Sequence, residues 1–322
     1  MTIQISGGVQ LTGPVTVAVG GSSPTPSGGF QGSNYGYTSG GYDGSTSNVI
    51  DKFSFTSDAN ATDVGDLATA TRLASGQSSS ASGYTSGGDS GGRINVIQKF
   101  SFSADGNATD VGDLLAVNEL PSGQSSSTNG YCAGGSIPSR SNVIQKFPFS
   151  SDGNATDVGD LTEDVEGATG CSSSDNGYRA GGTISGSASD VIDKFAFASD
   201  GNASDVGDLI KPGSVALYGP PQGQSSTTHG YVSGGANPHT NTIQKFSFST
   251  DGNATDVGDL TGTRISGAGQ SSTDSGYVSG GDYNDGTRTN IIEKFSFSSD
   301  GNATDVGDLT VARQSAPAGQ QY

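Results

Sequence analysis

One short phrase recurs six times in this chain of 322 residues. Its Lys-Phe core recurs at intervals of 47, 47, 48, 51 and 49 residues. The six pairs are Lys52-Phe53, Lys99-Phe100, Lys146-Phe147, Lys194-Phe195, Lys245-Phe246 and Lys294-Phe295. A unit of this size buries its apolar residues only against its neighbours. The spacing therefore predicts a repeat architecture and not two ordinary domains.

Each repeat contains the pattern of four short β-strands, which the sixth copy illustrates. Residues 269–272 begin an inner strand with small side chains, and residues 276–279 form a second strand that a double glycine ends. Residues 290–297 alternate as in a strand packed on both faces. Residues 300–302, Asp-Gly-Asn, predict a turn, and residues 305–309 return as the outer strand. Four strands near a fifty-residue period predict a blade, and the whole chain an all-β, six-bladed β-propeller.

The composition supports a folded repeat only because it is periodic. Hydrophobic residues make up 30% of the chain, and 53 residues are glycine. Without a period this would be typical of disorder. Twelve of the 13 phenylalanines lie in the six phrases, however, which predicts a regularly spaced core.

The net charge of −18 limits the classes of partner. An acidic surface repels phosphate, which argues against nucleic acid and anionic membrane surfaces. No run approaches the ~18 apolar residues of a membrane span. The N-terminus has no basic region followed by an apolar core, so a secretory signal is not expected.

The repeats resemble Kelch-type repeats in their double glycine, their aromatic strand and a Val-x-x-Leu where Kelch has Trp-x-x-Leu. The chain has no Trp, and six valines take that position: Val64, Val111, Val158, Val206, Val257 and Val306. The phrase KFSFxSDGNATDVGDL with GYxSGG and GQSS also resembles repeat proteins of marine bacteriophages, over residues ~33 to 320. That resemblance implies a virion component such as a tail or head fibre.

Three regions are predicted along the chain. Residues 1–20 alternate apolar and polar side chains and predict a β arm for attachment or oligomerisation, the alternative being a frayed tail. Residues 21–32 are a Gly/Ser/Pro linker, and residues 33–322 are the propeller. The last residues begin another inner strand, which we expect to complete the first blade and close the ring. Residues 29–31 are a competing inner strand.

Catalysis is not expected, because the chain mostly repeats itself and a catalytic site needs unique residues in one place. His229 occupies a turn position, and neither it nor His239 forms a recognisable catalytic arrangement with Ser, Cys or Asp. Cys132 and Cys171 lie one repeat apart, as isolated thiols or as a pair across neighbouring blades. No metal or other cofactor is predicted.

The Asp-Gly-Asn segments are compatible with calcium binding, because they contain several oxygen ligands close together. A hairpin turn explains the same residues and is preferred. We expect the aspartate of the outer strand to pair with the lysine of its own repeat, for example Asp66 with Lys52. Each segment also begins an N-x-[ST] sequon, and we interpret the asparagines as turn residues: Asn60, Asn107, Asn154, Asn202, Asn253 and Asn302.

Two connections per repeat vary, while the second hairpin turn is nearly invariant. In a four-stranded blade the variable connections share one face of the ring, so that face is the candidate binding surface. Aromatic and Arg side chains dominate binding surfaces, and the candidates there are Tyr42, Arg93, Arg140, Tyr218, His239, Tyr283 and Arg288.

The preferred hypothesis is a non-enzymatic phage virion protein on the extracellular particle surface. Residues 1–20 would bind other virion proteins or form a homo-oligomer, and the propeller would contact a host glycan or protein. A decorating propeller without a specific ligand and an intracellular Kelch-like adaptor are the alternatives.

Overall fold

The computed structural model describes residues 31–185, 187–210, 219–236, 239–283, 285–315 and 317–321. The β arm and all but the end of the linker lie outside these residues. The described residues form 27 β-strands arranged as a six-bladed propeller, as predicted. Within them there is no helix of a length and apolarity that would cross a membrane.

The strands follow one another blade by blade. Blade 1 contains β1 (Tyr35–Ser39), β2 (Val49–Ser54) and β3 (Thr62–Asp66). Blade 2 contains β4 (Ser75–Ser78), β5 (Ser82–Ser86), β6 (Val96–Ser101) and β7 (Thr109–Asp113). Blade 3 contains β8 (Ser122–Ser125), β9 (Asn129–Ala133), β10 (Ser136–Ile137), β11 (Ser139–Pro148) and β12 (Thr156–Val165).

The second half of the ring follows the same plan. Blade 4 contains β13 (Thr169–Ser172), β14 (Asn176–Ala180), β15 (Thr183–Ile184), β16 (Ser187–Ala188), β17 (Val191–Ala196) and β18 (Ser204–Asp208). Blade 5 contains β19 (Gln222–Ser225), β20 (His229–Ser233), β21 (Thr242–Ser247) and β22 (Thr255–Asp259). Blade 6 contains β23 (Ala268–Ser271), β24 (Ser275–Ser279), β25 (Ile291–Ser296) and β26 (Thr304–Asp308), and the last strand is β27 (Ala318–Gln321).

The C-terminal strand closes the ring. Strand β27 pairs antiparallel with β1, from Gly36 opposite Gln321 to Ser39 opposite Ala318. It therefore supplies the inner strand of blade 1, whose order is β27-β1-β2-β3. Closure by the C-terminus is confirmed, and it leaves no open edge between the first and last blades.

Aromatic triplets between neighbouring blades form the core. The buried ring of Tyr37 in blade 1 lies 5.5 Å from Phe100 and 4.9 Å from Phe102 of blade 2, measured between ring centroids. Every junction repeats this arrangement, and blade 6 reaches blade 1 through Tyr277, Phe53 and Phe55. The twelve repeat phenylalanines are thus the regularly spaced core that the sequence predicts. Such pairs add about 0.5–1.5 kcal/mol each beyond the burial of their area.

The repeat lysines pair between blades and not within them. Lys52 Nζ lies 2.6 Å from Asp105, in the hairpin turn of blade 2, so the predicted pairing with Asp66 is wrong. Each of the six lysines pairs with the turn aspartate of the next blade, at Nζ–Oδ1 distances of 2.5 to 3.1 Å. In the last pair, Lys294 of blade 6 contacts Asp58 of blade 1. The reason is that the third-to-fourth-strand turn of each blade overhangs the outer strand of the preceding one. The lysine Nζ therefore contacts the aspartate of that turn and not an aspartate of its own outer strand.

The turn asparagines also join neighbouring blades. Asn107 Oδ1 accepts a hydrogen bond from the backbone N–H of Asp66 at 3.0 Å, and the N–H of Ala108 donates to the carbonyl of Asp66 at 2.7 Å. The equivalent amide bond recurs at every junction. A Cβ added at Gly65 would overlap the carbonyl of Gly106, so this glycine permits the close approach. The DGN segment is therefore both a turn and a link between blades.

Six glycines surround the axis, one on each inner strand. A Cβ on any of them would overlap the carbonyl oxygen of the glycine in the preceding blade: Gly76, Gly123, Gly170, Gly223, Gly269 and Gly319. The next residue is a buried glutamine in five blades, and its amide donates to the tyrosine carbonyl of the following blade, as Gln77 does to Tyr131 at 3.1 Å. Small side chains at the axis are therefore a steric requirement.

Cys171 replaces this glutamine in blade 4. Its Sγ lies 3.4 Å from the carbonyl of Tyr231 in blade 5 and so preserves the link. Cys132 faces the other way, 3.2 Å from Gln77 Nε2 in blade 2. Because the two thiols contact different neighbours, both are free and buried, as isolated thiols.

We expect both thiols to be inert in the native protein. Burial raises the pKa of Cys132 to about 11 and that of Cys171 to about 12, so the reactive thiolate is scarce at pH 8. A chromogenic thiol reagent at pH 8 should label neither cysteine in native protein and both in guanidinium chloride. Rapid labelling of the native chain would contradict this burial.

Candidate functional site

The connections between strands separate onto two faces of the ring. The uniform face carries the third-to-fourth-strand turns (55–61, 102–108, 149–155, 197–203, 248–254 and 297–303) and the first hairpin turns. The variable face carries the described residues of the second-to-third-strand loops, which span 40–48, 87–95, 134–138, 181–190, 234–241 and 280–290. It also carries the described residues of the links to the next blade (67–74, 114–121, 166–168, 209–210, 219–221, 260–267, 309–315 and 317).

The chain enters the propeller on the uniform face. The N–H of Gly32 donates to the carbonyl of Ser271 at 2.9 Å, and the N–H of Thr273 donates to the carbonyl of Gly32 at 3.1 Å. Ser271 ends an inner strand beside the first hairpin turn of blade 6. Residues 1–30 are therefore joined to the ring opposite the variable loops.

The loops of the variable face pair across blade junctions. A residue of each described link forms a β-bridge to the second-to-third-strand loop of the next blade: Arg72 to Asp89, Glu119 to Ser136, Glu166 to Thr183, Ile265 to Asp282 and Gln314 to Tyr42. At these five junctions the loops thus rest on a shared backbone framework. Exposed loops held in this way on a rigid scaffold are suited to recognition.

Two predicted site arginines form ion pairs on this face. Arg93 Nη2 lies 2.8 Å from Glu119, and Arg140 Nη2 lies 2.8 Å from Glu166. Arg93 joins its second-to-third-strand loop, and Arg140 joins the start of β11, to the link that leaves the same blade. These arginines therefore brace the loops, and their replacement would change the loop framework as well as any contact surface.

Tyr42 and Arg288 are brought together. The guanidinium carbon of Arg288 lies 4.9 Å from the centroid of the Tyr42 ring, and that of Arg72 lies 5.3 Å from it. Arg288 Nη1 also donates to the carbonyl of Asp43 at 3.0 Å. Blades 6, 1 and 2 thus meet in one cation–π cluster.

A second group lies at the junction of blades 5 and 6. The Tyr283 ring packs on Arg264, whose guanidinium carbon is 5.0 Å from the ring centroid. Asp282 lies beside it, and burial, followed by the charge of Asp285, raises the pKa of the Asp282 carboxyl. His239 and Arg288 oppose that rise electrostatically, and Arg288 also forms a β-bridge to Asp282.

The predicted candidates thus fall into two separate parts of the face. Tyr42, His239, Tyr283 and Arg288 lie along one arc over blades 5, 6 and 1, while Arg93 and Arg140 belong to blades 2 and 3. Tyr218 lies outside the described residues. Sequence reasoning missed the partners Arg72, Asp89, Glu119, Glu166 and Asp282. The sequence signal that could have identified these partners is the presence of opposite charges in the loops of adjoining repeats.

Beneath this face, three acidic side chains are buried against arginine. Asp51 pairs with Arg313, Asp193 with Arg179 at 2.6 Å, and Glu293 with Arg264 at 3.0 Å. The other three repeats carry a glutamine at the same position: Gln98, Gln145 and Gln244. The acid therefore occurs only where an arginine reaches it, as expected of buried charges.

His229 does not join the face. It begins strand β20 beside the first hairpin turn, and its Nδ1 lies 2.8 Å from Thr228 Oγ1. Burial lowers the pKa of its imidazole. It therefore lies on the uniform face, away from the variable loops.

The described residues contain no group of three or more His, Cys, Asp or Glu side chains arranged to hold a metal ion. In the segments considered for calcium, Asp105 binds Lys52, and Asp63 accepts a hydrogen bond from the N–H of Gly65 at 3.1 Å. Charge pairing and turn formation account for these carboxylates. No protein-family model matches this sequence, and no curated protein matches it.

Proposed function

We propose that the protein is a non-enzymatic binding module of a bacteriophage particle, such as a tail or head fibre. In this proposal residues 1–20 attach it to other virion proteins, and the variable face binds a host surface. The observation that carries the proposal is the position of Gly32, which joins residues 1–30 to the ring on the face opposite the variable loops. A tether on one side leaves the other side free to contact a target.

The contrast between the two faces supports the same proposal. On the uniform face every blade repeats the Lys–Asp and Asn contacts that hold its neighbour. On the variable face the repeats differ in side chains while sharing one backbone framework. Diversity on loops over a constant scaffold is typical of recognition surfaces. The virion location itself rests on the resemblance to marine bacteriophage repeat proteins.

A decorating propeller without a specific ligand is the second candidate. The observation that favours it is the use of Arg93 and Arg140 in ion pairs between loops. In that case the variable side chains would stabilise the loops and bind nothing outside the molecule.

The test is binding of the labelled full-length chain to intact cells of a panel of marine bacterial strains. We expect saturable binding to at least one strain and a loss of at least about ten-fold in affinity for the double variant His239→Ala/Tyr283→Ala. Tyr35→Ala is the matched control, because Tyr35 is also partly exposed beside a cation, Lys52, but begins its strand at the uniform face. Equal binding by all three proteins would place recognition elsewhere. No binding to any strain would favour the decorating propeller.

A further inference from the structure

An arc of polar and aromatic side chains lies where the loops of blades 5, 6 and 1 meet. We infer that this arc, defined as His239, Asp282, Tyr283, Asp285 and Arg288, binds a neutral, hydroxyl-rich saccharide. The inference rests on the proposed function, because it names the ligand class for part of the variable face. It is argued from the fixed tyrosine ring, the hydrogen-bonding groups beside it and their charge.

Tyr283 provides a fixed aromatic platform. Arg264 is fully buried beneath it and is held by Glu293, while Tyr283 itself is partly exposed. Part of Tyr283 therefore remains open to solvent. The ring edge also packs close to Gly262, where an added Cβ would lie 3.2 Å from Tyr283 Cε1. An immobilised and partly exposed ring suits stacking of the C–H face of a sugar, since little side-chain entropy remains to be lost.

Groups that bind hydroxyls flank the platform. The Asp285 carboxylate is exposed and accepts the N–H of Thr287 at 2.9 Å, and this hydrogen bond lowers its pKa. It is therefore an ionised acceptor. Arg288 is held at the other end by the carbonyl of Asp43 and the Tyr42 ring. A carboxylate and a guanidinium in the same loop as an aromatic ring can respectively accept from and donate to sugar hydroxyls.

The charge of the arc favours neutral sugars over polyanions. The arc contains two carboxylates and one guanidinium, on a chain of net charge −18. Sulfated or uronate-rich polysaccharides would be repelled. The arc also contains no aliphatic side chain, whereas the centre of a protein interface is enriched in apolar groups. The exposed aliphatic side chains Leu115, Val117, Ile210 and Val311 belong to the links between blades and not to the arc.

The probes are dextran and mannan as neutral polysaccharides, with alginate and carrageenan as anionic ones. Binding of the full chain to each immobilised polymer is measured by interferometry at low and high salt. We expect binding to at least one neutral polymer with little salt dependence, and none to the anionic polymers. Tyr283→Ala should weaken binding at least about ten-fold, Tyr283→Trp should retain it, and Tyr35→Ala should leave it unchanged.

Binding only to the anionic polymers, or equal binding by Tyr283→Ala, would overturn the inference. Chemical treatment of the cells distinguishes a failure of this inference from a failure of the proposed function. Periodate, which cleaves vicinal diols, should abolish cell binding, while protease treatment of the cells should not. Binding that resists periodate but is lost after protease would refute a saccharide ligand and leave the host-binding proposal intact. Binding to the neutral polymers without binding to any cell would support a saccharide ligand and contradict the host-binding proposal.

Discussion

Deletion of residues 317–322 should lower the midpoint of thermal unfolding by more than about 10 °C, as measured by calorimetry. The deletion removes β27 and with it the ladder to β1. It also removes Gln320, which is fully buried and donates to Ser39 Oγ at 3.0 Å and to the carbonyl of Tyr84 at 2.9 Å. At about 1 kcal/mol net for each buried hydrogen bond, the loss exceeds about 5 kcal/mol. That is a large part of the total stability of a typical domain.

A peptide of residues 312–322, added to the truncated chain, provides the control. It should raise the unfolding midpoint in a concentration-dependent way, because it binds only the folded ring. The same peptide with Gly319→Val should fail, because a side chain there overlaps the carbonyl of Gly269 at the axis. A truncated chain as stable as the full chain would refute closure by β27.

Arg313→Asn should destabilise the protein by about 3–5 kcal/mol, measured by denaturant unfolding. Both Arg313 and its partner Asp51 are buried, so the variant leaves an unpaired carboxylate in the interior. Removing one member of a buried ion pair is costly because the remaining charge stays desolvated.

The double variant Asp51→Gln/Arg313→Asn should recover most of that loss. It copies the junction of blades 2 and 3, where Gln145 accepts the N–H of Leu115 at 2.7 Å and Asn118 donates to the carbonyl of Gly134 at 2.9 Å. Arg313 makes the corresponding bond to the carbonyl of Gly40 at 3.1 Å. A double variant no more stable than the single one would contradict the equivalence of the two junctions.

The architecture was predictable because six copies of one pattern carry the same information. The double glycines, the alternating strands and the final inner strand correctly gave four-stranded blades and a ring closed at β27. The partner of Lys52 was not predictable in the same way. Asp66 and Asp105 belong to equivalent repeats, and only the overhang of one blade on the next decides between them. A one-dimensional repeat does not distinguish contacts within a unit from contacts between units.

The candidate site was only partly accessible from the sequence. Comparison of the repeats identified the variable loops, and Tyr42 and Arg288 do meet. The comparison did not separate side chains that brace loops, such as Arg93, from those open to a ligand, because that depends on Glu119 in the adjoining link. The buried acids were detectable, since aspartate or glutamate replaces glutamine at one repeat position only where an arginine is available.

The position of Gly32 has a mechanical consequence. A force applied through residues 1–30 reaches β1 at its first residue. Strand β1 is held by β27 on one side and by β2 on the other, so a pull directed along β1 loads both ladders in shear. Hydrogen bonds loaded in parallel must break together, whereas a strand peeled from an edge loses them one by one. The same C-terminal strand that completes the ring thereby makes the tethered blade the one best placed to bear tension.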